Sequence, residues 1–205
     1  MLIIGLAGGS GAGKGEVSRM FLAHGIESVD TDQVSREITK RGSDCLRELA
    51  EVFTGAILTP FGELDRRRLA EIAFASEEKT ALLNSITHKH ILNDVRRFIT
   101  DRERADRKAV IVDAPLLYES GFNGSCDIVI AVVADPAIRI KRVTARDNIT
   151  EEMAELRLSR QISDEELQRR ADYVINNSSD FDALREQVDS VYNKIQREYF
   201  HVSNR

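Results

Sequence analysis

A glycine-rich segment near the amino terminus constrains the fold more than any other part of the sequence. Gly8-Gly9-Ser10-Gly11-Ala12-Gly13-Lys14 follows a short apolar run and precedes apolar residues at helical spacing. Glycine permits a concave turn whose backbone N–H groups point at a phosphate, and the helix that follows adds a partial positive charge. Lys14 adds a full charge for the outer phosphates. The spacing predicts a strand–loop–helix unit that binds a nucleotide, with an ordinary glycine-rich turn as the alternative.

Short runs rich in β-branched residues alternate with amphipathic, helix-like stretches. Two of the runs are continuously apolar, which is typical of parallel strands covered on both faces. Helical patterns between the runs imply βαβ crossovers. The sequence therefore predicts an α/β fold with a doubly wound, five-stranded parallel sheet. The predicted strands are Leu2–Ala7, Ile26–Asp30, Ala109–Asp113, Ile128–Val133 and Tyr173–Ile175.

Four local patterns predict where helices begin and end. Gly25 suits a left-handed helix stop, and Pro136 suits a first helical position after a strand. Thr150, which two acids follow, predicts a helix start. Ser163-Asp164-Glu165-Glu166 predicts a capping box, in which the serine hydroxyl and the last glutamate bind backbone amides.

The stretch between the second and third predicted strands is long and has almost no strand pattern. Its apolar residues recur at helical spacing, and the turn Thr59–Gly62 interrupts them. A chain of 205 residues suits one domain with sizeable insertions. We therefore predict a single domain. Its parts are a core (1–31, 108–138 and 166–205), a helical insertion (32–107) and an arginine-rich lid (139–165).

Composition excludes several classes of protein. With 42% hydrophobic and 31% charged residues, the chain suits a folded domain and not a disordered one. A net charge of −5 argues against general binding to nucleic acids or membrane surfaces. No stretch reaches the ~18 apolar residues of a membrane span. Cys45 and Cys126 lack metal-ligand spacing. We expect a cytoplasmic monomer with reduced cysteines and no nucleic-acid or membrane partner.

Two of the predicted strands end in acidic residues. Asp30 ends the second strand, with Asp32 two positions later, and Asp113 ends the third. Ligands of open α/β sheets bind beyond the carboxyl ends of the strands. A carboxylate there can accept a proton from a substrate hydroxyl, and one near phosphates can hold Mg²⁺ through its water shell. The alternatives are a cap from Asp30 or Asp32, for a helix beginning near Gln33, and a strand-end turn at Asp113.

Several arginines lie on one face of a predicted helix or just beyond it. Arg139, Arg142 and Arg146 are spaced i, i+3 and i+7, and Arg157 and Arg160 follow. Guanidinium groups clamp transferring phosphates, and a lid that carries them can exclude water. A solvated face paired with nearby glutamates is the alternative for any single arginine. As a set, they favour a lid over the nucleotide.

Two further clusters are weaker indications of a site. Arg66-Arg67-Arg68 is more typical of a solvated helix face. His88-Lys89-His90 is more typical of structural histidines, with contact to a substrate as the alternative.

Together these motifs resemble those of the dephospho-CoA kinases, a branch of the P-loop kinases, over residues 2–191. Gly5–Lys14 resembles the opening of that family, and Asp30-Thr31-Asp32 resembles its Asp-Ala-Asp. Gly62–Arg66 resembles its Gly-x-Leu-Asp-Arg turn. Asp113–Gly121 is similar to its Asp-Val-Pro-Leu-Leu-Phe-Glu-x-Gly, and Ala171–Asn177 to its last strand.

The sequence departs from that family at a few positions. Gly15 and Glu16 replace a Ser-Thr pair, whose first hydroxyl binds Mg²⁺ in such loops. A water molecule in place of the hydroxyl costs about 0–2 kcal/mol. We therefore expect weaker metal affinity but not a loss of activity, and the carboxylate of Glu16 either repels the phosphates or shares the metal. Lys89 replaces a proline, and Asn176 replaces an aspartate.

The resemblance implies transfer of the γ-phosphoryl group of ATP to the ribose 3′-hydroxyl of dephospho-CoA, with Mg²⁺ as cofactor. It implies that Asp32 is the base, that Lys14, Arg142 and Arg146 are the other catalytic residues, and that Asp113 is an outer-shell partner of the metal ion. The residues implied to bind ATP are Gly9, Ser10, Gly11, Ala12, Gly13, Lys14, Gly15, Glu16, Arg142 and Asn177. The resemblance also implies that the helical insertion (32–107) binds the CoA side of the acceptor, and the residues implied to bind the acceptor are Asp30, Asp32, His88 and Leu116. The alternatives are another small-molecule or nucleotide P-loop kinase, and an ATP-binding protein with attenuated chemistry.

Overall fold

A computed structural model describes residues 1–200 and shows a five-stranded sheet with the strand order β2-β3-β1-β4-β5. β1 pairs in parallel with β3 and with β4, and β4 pairs in parallel with β5. β1 is therefore central, and the loop that follows it leaves the middle of the sheet. The strands are β1 (Leu2–Ala7), β2 (Glu27–Asp30), β3 (Ala109–Asp113), β4 (Ile128–Val133) and β5 (Tyr173–Asn176).

Helices cover the sheet and fill the long connection between β2 and β3. The continuously apolar strands β3 and β4 are buried at every position, as expected for parallel strands covered on both faces. The helices are α1 (Lys14–Ala23), α2 (Thr31–Glu37), α3 (Asp44–Phe53), α4 (Arg66–Ala73), α5 (Glu77–Arg104), α6 (Pro136–Asp147), α7 (Glu151–Ser159), α8 (Asp164–Arg170) and α9 (Phe181–Ile195). Short 3₁₀ turns span Gly55–Ile57 and Phe122–Ser125, and a π-helical turn spans Gln196–Phe200.

The chain divides into two compact units. The sheet unit contains Met1–Val29 and the chain from Asp101 onward, and the helical unit contains Asp30–Thr100. The sheet unit has a core in which Phe21 of α1 and Val188 of α9 pack against apolar strand residues. The helical unit has its own buried cluster, which includes Leu49, Ile57 and Ile86. Each unit thus buries apolar surface of its own, which is the main source of folding free energy.

The strand predictions are confirmed, with small differences at two ends. β2 begins at Glu27 and not at Ile26, and β5 extends to Asn176. The helix stop at Gly25, the start at Pro136 and the cap from Thr150 are also confirmed.

The capping box at the start of α8 is half formed. The Ser163 hydroxyl accepts from the Glu166 amide at 3.1 Å, as predicted. The Glu166 carboxylate instead pairs with Arg169 and Arg170 in the next turn of the helix. These two cations therefore compete successfully with the backbone amide for the carboxylate.

The cysteines, one predicted turn and the apolar character of the helices are further features of the described chain. The Cys45 and Cys126 thiols are free. The turn at Thr59–Gly62 forms, with the Gly62 amide donating to the Thr59 carbonyl at 2.9 Å. Among residues 1–200, no helix combines the length and apolar character that crossing a membrane requires.

Candidate active site

The loop between β1 and α1 contains left-handed backbone conformations that glycine adopts readily. Gly11 has φ 78° and Gly13 has φ 97°, in the left-handed region that L side chains rarely adopt. The Ala12 amide donates to the Gly9 carbonyl at 3.1 Å and closes the turn. The segment predicted from glycine spacing therefore forms a tight concave loop that leads directly into α1.

The start of α1 differs from the starts of other helices in how its amides are capped. Gly13 offers no side-chain cap to α1. Because the first amides of a helix lack intrahelical acceptors, those of Lys14 and Gly15 are available to an anion, while the Glu16 amide donates to the Gly13 carbonyl at 3.0 Å. Side-chain oxygens cap the eight other α-helices of the described chain, and the capping residues are Asp30, Ser43, Asp65, Ser76, Asp135, Thr150, Ser163 and Asp180.

Two glycines of the loop leave no room for a side chain, and one of them, Gly13, also has a left-handed backbone. A Cβ atom on Gly9 would lie 2.1 Å from Nη2 of Arg139. A Cβ atom on Gly13 would lie 2.1 Å from Nδ2 of Asn177. Both distances are far below van der Waals contact, so the two side chains pack against the loop only because these positions lack a Cβ.

Arg139 is a structural support of the loop. It is 5% exposed, its Nε donates to the Ser10 carbonyl at 3.0 Å, and its Nη1 contacts Asp164 Oδ1 at 2.7 Å. Gln161 accepts from the Ser10 amide at 2.9 Å and donates to the Ser10 hydroxyl at 3.1 Å. Sequence reasoning did not identify Gln161 or Asp164. Nothing in the sequence links them to a loop some 150 positions away.

Asn177 and Arg142 hold the other side of the loop. Asn177 is buried, and its Nδ2 donates to the Ala12 carbonyl at 2.8 Å. Arg142 donates to the Gly11 carbonyl at 3.3 Å and to Oδ1 of Asn177 at 3.4 Å. Both contacts of Arg142 are long, so its guanidinium retains donors for a ligand.

An open pocket of about 280 Å³ adjoins these residues. Four of the residues predicted to bind ATP line this pocket. Asp180 and Phe181, at the start of α9, also line it, and the sequence analysis did not indicate them. Phe181 is half exposed and offers an apolar ring to a ligand. The predicted residues that line the pocket are Gly13, Glu16, Arg142 and Asn177.

Lys14 and Asp113 meet beside the loop. The Lys14 Nζ donates to the Gly8 carbonyl at 3.0 Å and lies 3.7 Å from Oδ1 of Asp113. Asp113 ends β3 and is 8% exposed. Its carboxylate is the type of hard oxygen donor that Mg²⁺ prefers. Among the described residues there is no group of three or more His, Cys, Asp or Glu side chains arranged to hold a metal ion by themselves.

Gly15 and Glu16, the departures from the usual loop, have different surroundings. Nothing lies within 4 Å of the position that a Cβ on Gly15 would take. Glu16 is paired with Arg19 at 2.7 Å, one turn along α1. The neighbouring guanidinium thus offsets the negative charge that Glu16 places near the loop.

Arg146 lies near the end of α6 and is tied to its neighbour Asp147. Its Nε and Nη2 contact the two carboxylate oxygens of Asp147 at 2.7 and 2.9 Å. Arg157 of α7 binds the same carboxylate. The hydrogen bonds from Arg146 and then from Arg157 lower the pKa of Asp147 to about 2. Asp147 therefore links α6 to α7 within the predicted lid.

Asp30, at the end of β2, and Asp32, two positions later, have separate roles in the helical unit. Asp30 caps α2, with Oδ1 accepting from the amides of Asp32 and Gln33 at 2.8 and 3.2 Å. The capping alternative is thus confirmed for Asp30, although α2 begins at Thr31 and not near Gln33. Asp32 lies in the first turn of α2 and is exposed, and within residues 1–200 its carboxylate has no hydrogen-bond or ion-pair partner.

The remaining residues predicted to contact the acceptor are exposed. His88 lies on α5 at the surface of the helical unit, and Leu116 of the sheet unit is 55% exposed. The neighbours of His88 are structural. Lys89 and His90 both bind the Glu48 carboxylate, at 2.6 and 2.8 Å, and these contacts lower the pKa of Glu48. With lysine in place of a proline, α5 continues unbroken through this position.

Comparison with known proteins gives consistent results for sequence and fold. The family model described as dephospho-CoA kinase matches residues 2–183. A dephospho-CoA kinase of Corynebacterium efficiens is 39% identical over 195 residues, which are 95% of this chain and 98% of that relative. A crystal structure from Thermus thermophilus has a TM-score of 0.80 at 27% identity, covering 95% of this chain and 97% of the other. Dephospho-CoA kinase from Campylobacter jejuni has a TM-score of 0.70 at 24% identity with the same coverage, a likeness of fold alone.

Proposed function

The chain belongs to the dephospho-CoA kinase family and catalyses ATP-dependent phosphorylation of dephospho-CoA, and we propose here which of its residues carry out the reaction. The reaction transfers the γ-phosphoryl group of ATP to the ribose 3′-hydroxyl and yields CoA and ADP. The observation that most supports the assignment is the glycine loop with Lys14 beside it and no side-chain cap on α1.

The loop and the start of α1 bind the phosphates of ATP. Loop amides and the first amides of α1 donate to phosphate oxygens, and Lys14 neutralises the outer phosphates. Arg139, Gln161 and Asn177 hold the loop in this shape before ATP arrives. Such preorganisation lowers the free-energy cost of ordering the site around the transition state.

The nucleoside end of ATP occupies the 280 Å³ pocket beside Gly13 and Asn177. Phe181 offers a surface for a base to stack on, and stacking of a base on an aromatic ring contributes about 1–3 kcal/mol. The Asn177 side chain is already bonded to Ala12 and Arg142. Its role is therefore to shape the pocket and orient Arg142.

Asp113 is the residue that would hold Mg²⁺, through its water shell. Mg²⁺ in such sites keeps several waters and uses one or two carboxylates together with substrate phosphates, so a single buried carboxylate fits the ion. When bound, the ion neutralises negative charge on the β- and γ-phosphates. Because Gly15 has no hydroxyl, the chain offers one protein ligand fewer than the usual loop.

Asp32 accepts the proton of the acceptor hydroxyl. Its carboxylate is exposed and not bonded to any other described residue, so it is available to a substrate. Asp30 positions it by capping the first turn of α2. Arg142 and Arg146 neutralise charge on the transferring group, and Leu116 and His88 contact the acceptor.

We also propose that the protein acts in the cytoplasm as a monomer, as its free cysteines and acidic charge suggest.

A coupled assay of ADP release tests the proposed acceptor most directly. We expect rapid, Mg²⁺-dependent ADP release with dephospho-CoA and little with shikimate, gluconate or nucleoside monophosphates. The product must co-elute with CoA, which carries the phosphate on the 3′-oxygen. Equal rates across the panel would contradict the assignment. ATP binding without transfer to any acceptor would instead favour a protein with attenuated chemistry.

A further inference from the structure

A second pocket, within the helical unit, is lined mainly by cations. It has a volume of about 460 Å³ and lies between α2, the chain after α2 and the start of α4. We call it the arginine pocket. Its polar lining residues are Arg36, Thr39, Lys40, Arg41, Glu63 and Arg66.

The charges around the arginine pocket favour an anion. Four of its lining residues are cations and one is an acid, in a chain whose net charge is −5. Lys40 is paired with Glu37 at 2.6 Å. In contrast, within residues 1–200 the guanidinium groups of Arg36 and Arg41 have no hydrogen-bond or ion-pair partner. A cluster of this kind concentrates positive potential at one place and recognises phosphate oxygens.

One member of the pocket is positioned by a buried hydroxyl. Arg66 donates from Nη2 to Oγ1 of Thr39 at 3.0 Å, and Thr39 is 6% exposed. The Thr39 hydroxyl in turn donates to the Ser35 carbonyl at 2.9 Å, in α2. Hydrogen bonds through Thr39 therefore connect the start of α4 to α2. The other N–H donors of the Arg66 guanidinium group remain for a ligand.

The arginine pocket and the proposed base share one helix. Arg36 follows Asp32 by four residues in α2, so the two side chains lie on the same helix face about 6 Å apart along the axis. In dephospho-CoA the ribose 3′-oxygen and the diphosphate are joined through only C3′, C4′, C5′ and O5′. A substrate whose 3′-hydroxyl meets Asp32 therefore carries its diphosphate to within about one helical turn of that carboxylate.

From this spacing we propose that the arginine pocket binds the diphosphate of dephospho-CoA, with Arg36, Arg41 and Arg66 as donors. The assignment rests on the proposed function, because it takes Asp32 as the base and dephospho-CoA as the acceptor. It adds a determinant of specificity. An acceptor that has a ribose hydroxyl but no diphosphate leaves three guanidinium groups without their ligand.

The test uses Arg36→Gln and Arg41→Gln in the full chain, because neither side chain has a structural partner among the described residues. Loss of one charge-assisted hydrogen bond should raise KM for dephospho-CoA about 10-fold in each variant. The KM for ATP should stay unchanged. Arg36→Lys and Arg41→Lys should recover part of the lost affinity for dephospho-CoA. Lysine keeps the positive charge but lacks the planar guanidinium group with its paired N–H donors. At saturating ATP, inorganic pyrophosphate should compete with dephospho-CoA, and less strongly in the Gln variants.

Arg47→Gln is the matched control. Arg47 is an exposed arginine of the same unit that pairs with Asp44 and does not line the pocket. An unchanged KM for dephospho-CoA in both Gln variants would overturn the assignment and leave the kinase activity standing. An equal rise in KM for both substrates would also overturn it, since that result indicates a disturbed fold. If the wild-type chain did not phosphorylate dephospho-CoA at all, the proposed function would fail first, and this assignment with it.

Discussion

The candidate site residues of the two units differ in whether other side chains or backbone groups bond to them. Around the glycine loop of the sheet unit, Arg139, Gln161, Asn177 and Arg142 bind loop carbonyls, amides or one another. In the helical unit, Asp32 and the guanidinium groups of Arg36 and Arg41 have no partner within residues 1–200. The proposed nucleotide site is therefore formed before its ligand arrives, whereas the proposed acceptor site presents charges that a ligand would satisfy.

This difference has a measurable consequence. Substitutions around the loop should lower stability as well as activity, because they remove bonds within the folded chain. Substitutions of the unpaired charges should lower activity and leave stability unchanged, because the folded chain makes no use of those groups. Three substitutions test this contrast.

Asp32→Asn should separate activity from stability most clearly. Removing a general base reduces turnover about 10²- to 10⁴-fold. The melting temperature and the affinity for ATP should remain close to those of the wild type. Turnover, thermal unfolding and ATP titration measured on one preparation check all three expectations. Glu51→Gln is the control, since Glu51 is an exposed acid on α3 of the same unit. A near-normal turnover in Asp32→Asn would remove Asp32 as the base.

Gly13→Ala, unlike Asp32→Asn, should lower stability as well as activity. The new Cβ would lie 2.1 Å from Nδ2 of Asn177, at a φ of 97°. Backbone strain and the lost bond from Asn177 to Ala12 together should cost about 2–4 kcal/mol of unfolding free energy. Gly15→Ala is the matched control, because nothing lies within 4 Å of its Cβ position. Denaturant unfolding of both variants makes the comparison, and equal stabilities would show that the loop tolerates side chains in general.

Gly15→Ser should produce the smallest effect. The open space around Gly15 accommodates a hydroxyl, which would restore the usual oxygen ligand of Mg²⁺. The Mg²⁺ concentration for half-maximal rate should fall, by at most about 30-fold, because a bridging water costs no more than about 2 kcal/mol. A Mg²⁺ titration of the rate, with Gly15→Ala for comparison, measures the change. An unchanged half-maximal concentration would mean that another group already fills the ligand position.

The sequence predicted the sheet unit well because its signals are local. Strand limits follow from apolar runs of β-branched residues, and the loop follows from glycine spacing. The identity of the loop's supports could not be predicted in the same way. Arg139 looked like one member of an arginine face directed at phosphates, but it is buried between Ser10 and Asp164. That role depends on contacts between residues more than one hundred positions apart, for which sequence periodicity holds no information.

The helical unit was predicted less completely. Helical spacing indicated helices, and the Asp30-Thr31-Asp32 pattern left open which acid caps α2. Backbone geometry decides that Asp30 does so. The arginine pocket was not foreseen, since Arg66 looked like part of a solvated face. Its bond to Thr39 joins segments that are 27 positions apart, which only the folded chain reveals.

The central claim is that the glycine loop and Lys14 bind the phosphates of the ATP that is consumed. Steady-state kinetics of Lys14→Ala with varied ATP tests it most directly, with Lys194→Ala on α9 as the control. We predict a higher KM for ATP together with a lower kcat, and a fall in kcat/KM of about 10²-fold or more. A variant with the ATP kinetics of the wild type would contradict the account.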